Sequence, residues 1–162
     1  YTDTADTGDD YLCSLCYAVG GDGMIYLTDA LYTPEPMEAT EPLVGEMLVR
    51  SDTRQAAIES NNGGRGFARA VQALAPAVRV EWFHQSGNKE ARILSNSATA
   101  LHLVRFPRGW NLRWPELYAH LTTYRRKFRA NRWHDAADVV TGIVEREAAG
   151  RGQKRVRCIR FL

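Results

Sequence analysis

Residues that favour β-strands are concentrated in short runs at the start of the chain, and polar turns separate them. The runs are YTDTA (1–5), DYLCSLCYAV (10–19) and MIYLTDALYT (24–33), with Gly-Asp turns between them. Strands joined by such short turns usually pair in an antiparallel way. We therefore expect the chain to begin with a meander of two or three antiparallel strands.

From residue 37 the pattern changes, and apolar positions with helical spacing alternate with short extended runs. The pattern predicts helices over 37–50 and 88–103, strands over 55–60 and 78–85, and an extended piece over 104–107. Between those two strands, NNGGRGFARAVQALAP predicts another helix, capped by Asn61 or Asn62 and ended by Pro76. Phe67, Val71 and Leu74 are its predicted buried face.

Two more helices are predicted towards the end of the chain. WPELYAHLTTYRRKF (114–128) has Pro115 at a first-turn position, and HDAADVVTGIVEREA (134–148) precedes Gly150. Strands first, then alternating helices and strands, then helices predict an α/β or α+β sheet with helices on its faces.

Composition favours one domain, because 162 residues with 44% apolar side chains can bury one sizeable core. The three cysteines, Cys13, Cys16 and Cys158, are an odd count without a secretory signal, so we expect a reducing, intracellular location and no membrane span. The CSLC spacing resembles a redox or zinc motif. On a strand, however, residues three apart face opposite sides, and no second pair exists, so core packing is the preferred interpretation.

Charge is distributed unevenly along the chain, although the net charge is only +2. Residues 1–60 carry 2 basic and 12 acidic side chains, whereas residues 105–162 carry 14 basic and 5 acidic ones. Such asymmetry indicates polyanion binding by the basic part and cation binding among the acids. Solvated faces that offset each other explain the same numbers about equally well.

Four acids stand at positions where a sheet and a helix can bring them together. Asp3 lies on the first predicted strand, Glu59 ends the fourth, and Asp135 and Asp138 share one helical face. Each acid alone is more simply a helix cap or a surface residue. Together at one end of an α/β sheet they would need cations, and two hard divalent ions such as Mg²⁺ are suited to such oxygen ligands.

The quoted motifs, in their order and spacing, resemble the C-terminal nuclease domain of phage large terminase subunits. The resemblance covers nearly all of residues 1–148 and is carried by YTDTADTGDDYLCSLCYAV, AIESNNGGRGFARAV, NKEARI and WHDAADVVTGIVE. It implies an RNase H-like α/β fold, with a central mixed sheet whose first strands are antiparallel. It also implies that residues 1–162 are a single nuclease domain, cut from a longer chain with an N-terminal ATPase domain.

The resemblance further implies an endonuclease that cuts concatemeric double-stranded viral DNA during packaging by two-metal hydrolysis. Asp3, Glu59 and Asp138 would be the core ligands of two Mg²⁺ or Mn²⁺ ions, with Asp135 a fourth ligand. Asp10 and His134 would be auxiliary, although structural roles explain both equally well. The expected partners are duplex DNA, the ATPase domain in cis, the small terminase subunit and the portal, in the cytoplasm of a bacterial host.

Basic residues are the candidates for gripping the DNA backbone, which Lys and Arg contact without reading sequence. They are Lys89, Arg92, Arg105, Arg108, Arg125, Arg126, Lys127, Arg129 and Arg132. For YRRKFR, a solvated helix face is the simpler alternative. The basic tail, residues 150–162, is predicted to form an edge strand, to lie on DNA or to dock on a neighbouring domain.

Two other functions remain open on the sequence. A junction resolvase of the RuvC type, or another RNase H-like nuclease, would carry a similar pair of acids on its last helix. A non-catalytic nucleic-acid-binding module would use only the basic face, with the acids as caps. No phosphate-binding P-loop occurs in the chain, since NNGGRG lacks the Lys-Ser/Thr ending.

Overall fold

A computed structural model of the protein describes residues 1–5, 10–61 and 63–156. Within these residues, six strands form one sheet in the order β5-β4-β1-β2-β3-β6. The strands are β1 Thr2–Asp3, β2 Leu12–Val19, β3 Ile25–Thr33, β4 Gln55–Glu59, β5 Arg79–Phe83 and β6 Val104–Arg105.

Six α-helices and one short 3-10 helix flank the sheet in the same part of the chain. They are α1 Met37–Arg50, α2 Gly64–Leu74, α3 Lys89–Leu103, α4 Trp110–Arg113, α5 Pro115–Thr122 and α6 Asp135–Val156, with the 3-10 helix at Phe128–Ala130. The predicted α/β architecture with helices on the faces of a sheet is confirmed.

The sheet is mixed because one strand runs against all the others. β2 pairs in an antiparallel way with both β1 and β3, as predicted for the first strands. β4 lies parallel to β1, β5 parallel to β4, and β6 parallel to β3. The carboxyl ends of β1 and β4 therefore meet at the same edge of the sheet, next to each other in its middle.

The alternation of side chains along the strands produces two cores, one on each face of the sheet. On one face, α6 buries Val139 and Ile143 against Leu15 of β2. On the other, Phe67 and Val71 of α2 pack with residues of α1 and β4. Cys13 and Cys16 are both buried, one in each core, which confirms that the CSLC motif serves packing.

The predicted helices over 37–50 and 88–103 and the strand over 55–60 are confirmed within a residue, but two helix ends differ. α5 ends at Thr122, so the run YRRKFR is not a helix face. The Asn131 side chain instead bonds the backbone N–H and carbonyl of Arg125, which holds this segment in an irregular turn.

The second difference lies at the end of the chain, where α6 does not stop before Gly150 but continues to Val156. Residues 150–156 of the predicted tail are therefore helical and not an edge strand, because an isolated Gly weakens a helix without ending it. Residues 157–162, including Cys158, lie outside the described part.

Two predicted details of α2 are also wrong. The helix follows Gly63 without a side-chain cap, and Asn61 instead accepts from the N–H of Gln85 and donates to its carbonyl. Asn62 lies outside the described residues. Leu74 is exposed, while Phe67 and Val71 are buried as predicted.

Candidate metal centre

Two acids of the site are the last residues of neighbouring parallel strands. The register pairs Thr2 of β1 with Ile58 of β4, so Asp3 and Glu59 come next on the two strands. Thr2 faces the α2 side of the sheet, where its hydroxyl bonds that of Ser14 at 2.7 Å. Because side chains alternate, Asp3 and Glu59 both face α6.

Helix α6 brings the other two acids to this edge. It begins at Asp135, so Asp135 and Asp138 lie on its first turn, where carboxylates complement the positive end of the helix. The apolar residues behind them anchor the helix on the sheet. Asp3, Glu59 and Asp138 each offer a carboxylate oxygen, and these oxygens lie within 4.8 Å of one another.

Two cations from α3 lie among these acids. The Lys89 ammonium is 2.9 Å from Asp135, 3.3 Å from Asp3 and 3.3 Å from Asp138. Arg92 follows one turn later, and its guanidinium donates twice to Oδ1 of Asp138 and lies 3.9 Å from Glu59. The cluster therefore has four carboxylates and two cationic side chains.

Neutral groups donate hydrogen bonds to two of the acids, Glu59 and Asp135. The Tyr1 hydroxyl donates to Glu59 at 2.7 Å, and the Tyr11 N–H donates to Asp135 at 3.2 Å. Gly142 allows α6 to approach Tyr1, because a Cβ there would lie 2.7 Å from the hydroxyl oxygen. Gly64 similarly lets α2 begin against the carbonyl of Glu59, which a Cβ would meet at 2.0 Å.

The pKa values of two of the acids, Asp3 and Glu59, are shifted towards the neutral form, as those of crowded and buried carboxylates are. Burial raises the pKa of Asp3 to about 7; Lys89 opposes the rise, and the neighbouring carboxylates add to it. Burial also raises the pKa of Glu59, although the hydrogen bond from Tyr1 opposes this. Burial would lower the pKa of Lys89, but Asp3, Asp135 and Asp138 outweigh it and raise that pKa.

The donor set fits a hard divalent cation such as Mg²⁺ or Mn²⁺, which prefers carboxylate oxygens. The acids line a polar cleft of about 180 Å³. Lys89 already places a positive charge within ion-pair distance of three of them. Four carboxylates exceed the two cationic side chains in charge, and oxygens of Asp3, Glu59 and Asp138 lie close together, so this acidic triad can hold a metal ion.

The two auxiliary residues are placed differently. Asp10 is exposed and lines the same cleft. His134 is half-buried just before α6, and its carbonyl accepts the N–H of Asp138 at 2.9 Å. Burial lowers the pKa of His134. Their predicted auxiliary roles stay predictions.

The predicted DNA-binding residues fall into two groups. Lys89 and Arg92 lie inside the acidic cluster and not on an open basic face. The others are exposed: Arg105 on β6, and Arg108, Arg125, Arg126, Lys127, Arg129 and Arg132 on the connections that precede α5 and α6. Contact of either group with DNA stays a prediction.

Sequence reasoning missed the neutral partners of the acids. Tyr1 stands two residues before Asp3, and therefore on the same face of the strand, which was a usable signal. Tyr11 contributes only its backbone, and no side-chain pattern marks that. Gln85 also lines the cleft, although it follows β5 with no motif around it.

A larger, apolar groove of about 790 Å³ lies between α3, α5 and α6, on the side of Ile93, Leu101 and Trp110. The four acids are not part of its lining. The smaller polar cleft, and not this groove, is therefore the candidate site.

Comparison with protein-family models and with curated proteins gives no match for this chain. Any function assigned to it therefore rests on its fold and on the geometry of the site. Among the described residues, every helix is too short or too polar to cross a lipid bilayer.

Proposed function

We propose that the protein is a metal-dependent endonuclease that cleaves double-stranded DNA. One observation carries the proposal: Asp3, Glu59 and Asp138, which are far apart in the sequence, present carboxylate oxygens within 4.8 Å of one another. Crowding of like charges is unfavourable unless a cation is bound, so its presence in a cleft favours a metal-binding function.

The fold supports the same proposal. An antiparallel meander followed by parallel strands, with an acid at the end of the first strand, agrees with the RNase H-like fold that the resemblance to terminase nucleases implies. The acid on β4 and the pair on α6 stand where that resemblance expects ligands. The proposed setting is accordingly DNA packaging in the cytoplasm of a phage-infected host, with an ATPase domain in cis, a small terminase subunit and a portal.

Each element of the site has a distinct role in this proposal. Asp3, Glu59 and Asp138, with Asp135, hold Mg²⁺ or Mn²⁺. When bound, two such ions would supply Lewis acidity for hydrolysis of a phosphodiester. Tyr1 and Arg92 orient Glu59 and Asp138, and the exposed arginines before α6 bind the flanking phosphates without sequence readout.

A cleavage assay with supercoiled and linear plasmid in Mn²⁺ or Mg²⁺ tests the proposal. We expect nicking or cutting that EDTA abolishes and that Asp3→Asn and Glu59→Gln each reduce by about 100-fold or more. Asp29→Asn is the matched control, because Asp29 is another buried acid on the same sheet, away from the cleft. Equal activity in Asp3→Asn and the wild type would contradict the proposal.

The same assay separates the alternatives. Cleavage of four-way junctions in preference to linear duplex would favour a resolvase. The non-catalytic binding module also has a specific observation in its favour, because Lys89 and Arg92 pair with the acids as in a structural ion-pair cluster. Duplex binding that persists without any metal-dependent cutting would favour that module.

A further inference from the structure

The Lys89 ammonium contacts three of the four clustered carboxylates, at 2.9 to 3.3 Å. We propose that Lys89 is a resident cation, which limits the DNA-free site to one divalent ion and leaves when a second ion binds with DNA. This inference rests on the proposed function. It makes Lys89 a residue that sets the order of metal and substrate binding.

The charges of the cluster support this order. When all four carboxylates are ionised, as metal ligands are, and Lys89 and Arg92 are in place, two negative charges remain uncompensated, and one divalent ion neutralises them. A second divalent ion would leave the buried cluster with an excess of two positive charges, which is costly in a partly desolvated site.

The balance changes when a phosphodiester enters the cleft and Lys89 leaves. The carboxylates and the phosphate together carry five negative charges, and two divalent ions with Arg92 carry five positive ones. The DNA-free site with one metal ion and the DNA-bound site with two metal ions are therefore both neutral. In the second state, one metal ion and one phosphate have replaced Lys89. The second ion is expected only when DNA is present.

Lys89 is the cation of the pair that is placed to move. Its side chain is 32% exposed, whereas that of Arg92 is 7% exposed. Lysine carries its charge on a flexible four-carbon chain, while the planar guanidinium of Arg92 donates twice to one carboxylate oxygen. Arg92 is therefore the fixed partner of Asp138, and Lys89 the exchangeable one.

The position of Lys89 on its helix also favours Lys89 as the exchangeable cation. It is the first residue of α3, after the N-cap Asn88, whose side chain accepts the N–H of Ala91 at 3.2 Å. A positive side chain is unfavourable at a helix N-terminus. The clustered acids, together with Glu90 in the first turn, offset this placement. Once metal ions neutralise the clustered acids, the ammonium loses its partners in the cleft.

Titration with Mn²⁺, followed by electron paramagnetic resonance of the free ion, tests the inference without requiring activity. At constant ionic strength and without DNA, we expect the wild type to bind one Mn²⁺ per chain. In Lys89→Met we expect a second Mn²⁺, with its affinity raised at least tenfold over any second site in the wild type. Arg69→Met is the matched control, since Arg69 is exposed on α2, outside the cluster and not among the predicted DNA-binding residues, and this variant should bind Mn²⁺ as the wild type does.

A second arm needs no variant. Wild-type protein with a short duplex whose phosphorothioate linkages slow cleavage is expected to take up a second Mn²⁺ beyond the ions that the duplex binds by itself, as Lys89→Met does without DNA. Identical stoichiometry and affinity in the wild type and Lys89→Met, or one ion per chain with the duplex, would overturn the inference while the nuclease proposal stands. If the wild type binds no more Mn²⁺ than Asp3→Asn does, the proposed function is overturned instead.

Discussion

Two places in this sheet bury acids, and they balance the charge in opposite ways. Asp29 on β3 is one carboxylate with two arginine partners, Arg50 at 2.8 Å and Arg113 at 2.9 Å. In the cleft, four carboxylates share Lys89 and Arg92. Two arginines supply more than enough positive charge to neutralise Asp29, whereas Lys89 and Arg92 together neutralise only two of the four carboxylates in the cleft.

The difference separates Asp29 from the candidate metal ligands by a count of charges and not by burial. Asp29 is 6% exposed, Glu59 4% and Asp138 2%, so burial alone would class them together. If the candidate metal site is used, the shortage of positive charge in the cleft should cost stability in the metal-free protein, and a bound divalent cation should remove that cost.

The largest expected effect comes from removing the buried cation of the cleft. Arg92→Met leaves Asp138 buried without its guanidinium, and we expect a loss of about 3–5 kcal/mol in the free energy of unfolding. Urea denaturation in EDTA measures it. Arg50→Met is the matched control: its side chain is 64% exposed, and Asp29 keeps Arg113, so the loss should be about 0–1 kcal/mol. Similar losses of unfolding free energy in Arg92→Met and Arg50→Met would show that the cleft does not depend on its cations more than Asp29 does.

A smaller effect is expected from the contact that holds Glu59. Gly142→Ala places a Cβ 2.7 Å from the Tyr1 hydroxyl oxygen, so either the helix or the tyrosine must move. We expect a loss of about 1–3 kcal/mol, as for other overpacked sites, and weaker Mn²⁺ binding in the same titration.

Gly66→Ala in α2 is the control for that change, because nothing lies within 4 Å of its added Cβ. It should gain up to about 1 kcal/mol from helix propensity, with unchanged metal binding. Destabilisation of both variants by the same amount would mean that the Tyr1 contact does not matter.

The four acids could be predicted from the sequence because local rules place them. Glu59 ends a short apolar strand before Gly63 and Gly64, and two acids three residues apart must share a helix face. Parallel neighbours bring strand ends to one edge, which explains why Asp3 meets Glu59. These features need only the secondary structure and the strand order.

The cations could not be predicted in the same way. Lys89 and Arg92 were candidates for an open DNA-binding face because their segment is basic and polar. Their contact with the acids depends on how α3 packs against α6, which no spacing in the sequence fixes. The end of α5 at Thr122 likewise depends on the later Asn131, whose side chain bonds the backbone at Arg125.

Replacing an Asp by Asn is expected to change the free energy of unfolding in opposite directions in the cleft and at Asp29, and the change in the cleft is the smallest of those predicted. Asp3→Asn removes a charge from the crowded cleft, so at pH 8 in EDTA we expect a gain on the order of 1 kcal/mol. Asp29→Asn removes the negative charge that pairs with two guanidinium groups and replaces one of the two acceptor oxygens by an NH2 donor, so it should lose about 1–3 kcal/mol. Urea denaturation of both variants checks the signs. Destabilisation by Asp3→Asn in EDTA would show that Lys89 and Arg92 already satisfy the cleft.

The pH dependence of the metal-free protein depends on the same residue. The folded pKa of Asp3, about 7, lies above its ordinary value of 3.8, so folding favours the protonated carboxyl. The contribution of Asp3 to stability is therefore fully present below pH 3.8 and is lost as the pH rises through 7. In EDTA, the decrease in stability between about pH 4 and 7 should be smaller in Asp3→Asn than in the wild type, and Mn²⁺ should reduce it in the wild type. Identical pH profiles for the two proteins would show that Asp3 is already ionised throughout this range, with Lys89 supplying all the charge it needs.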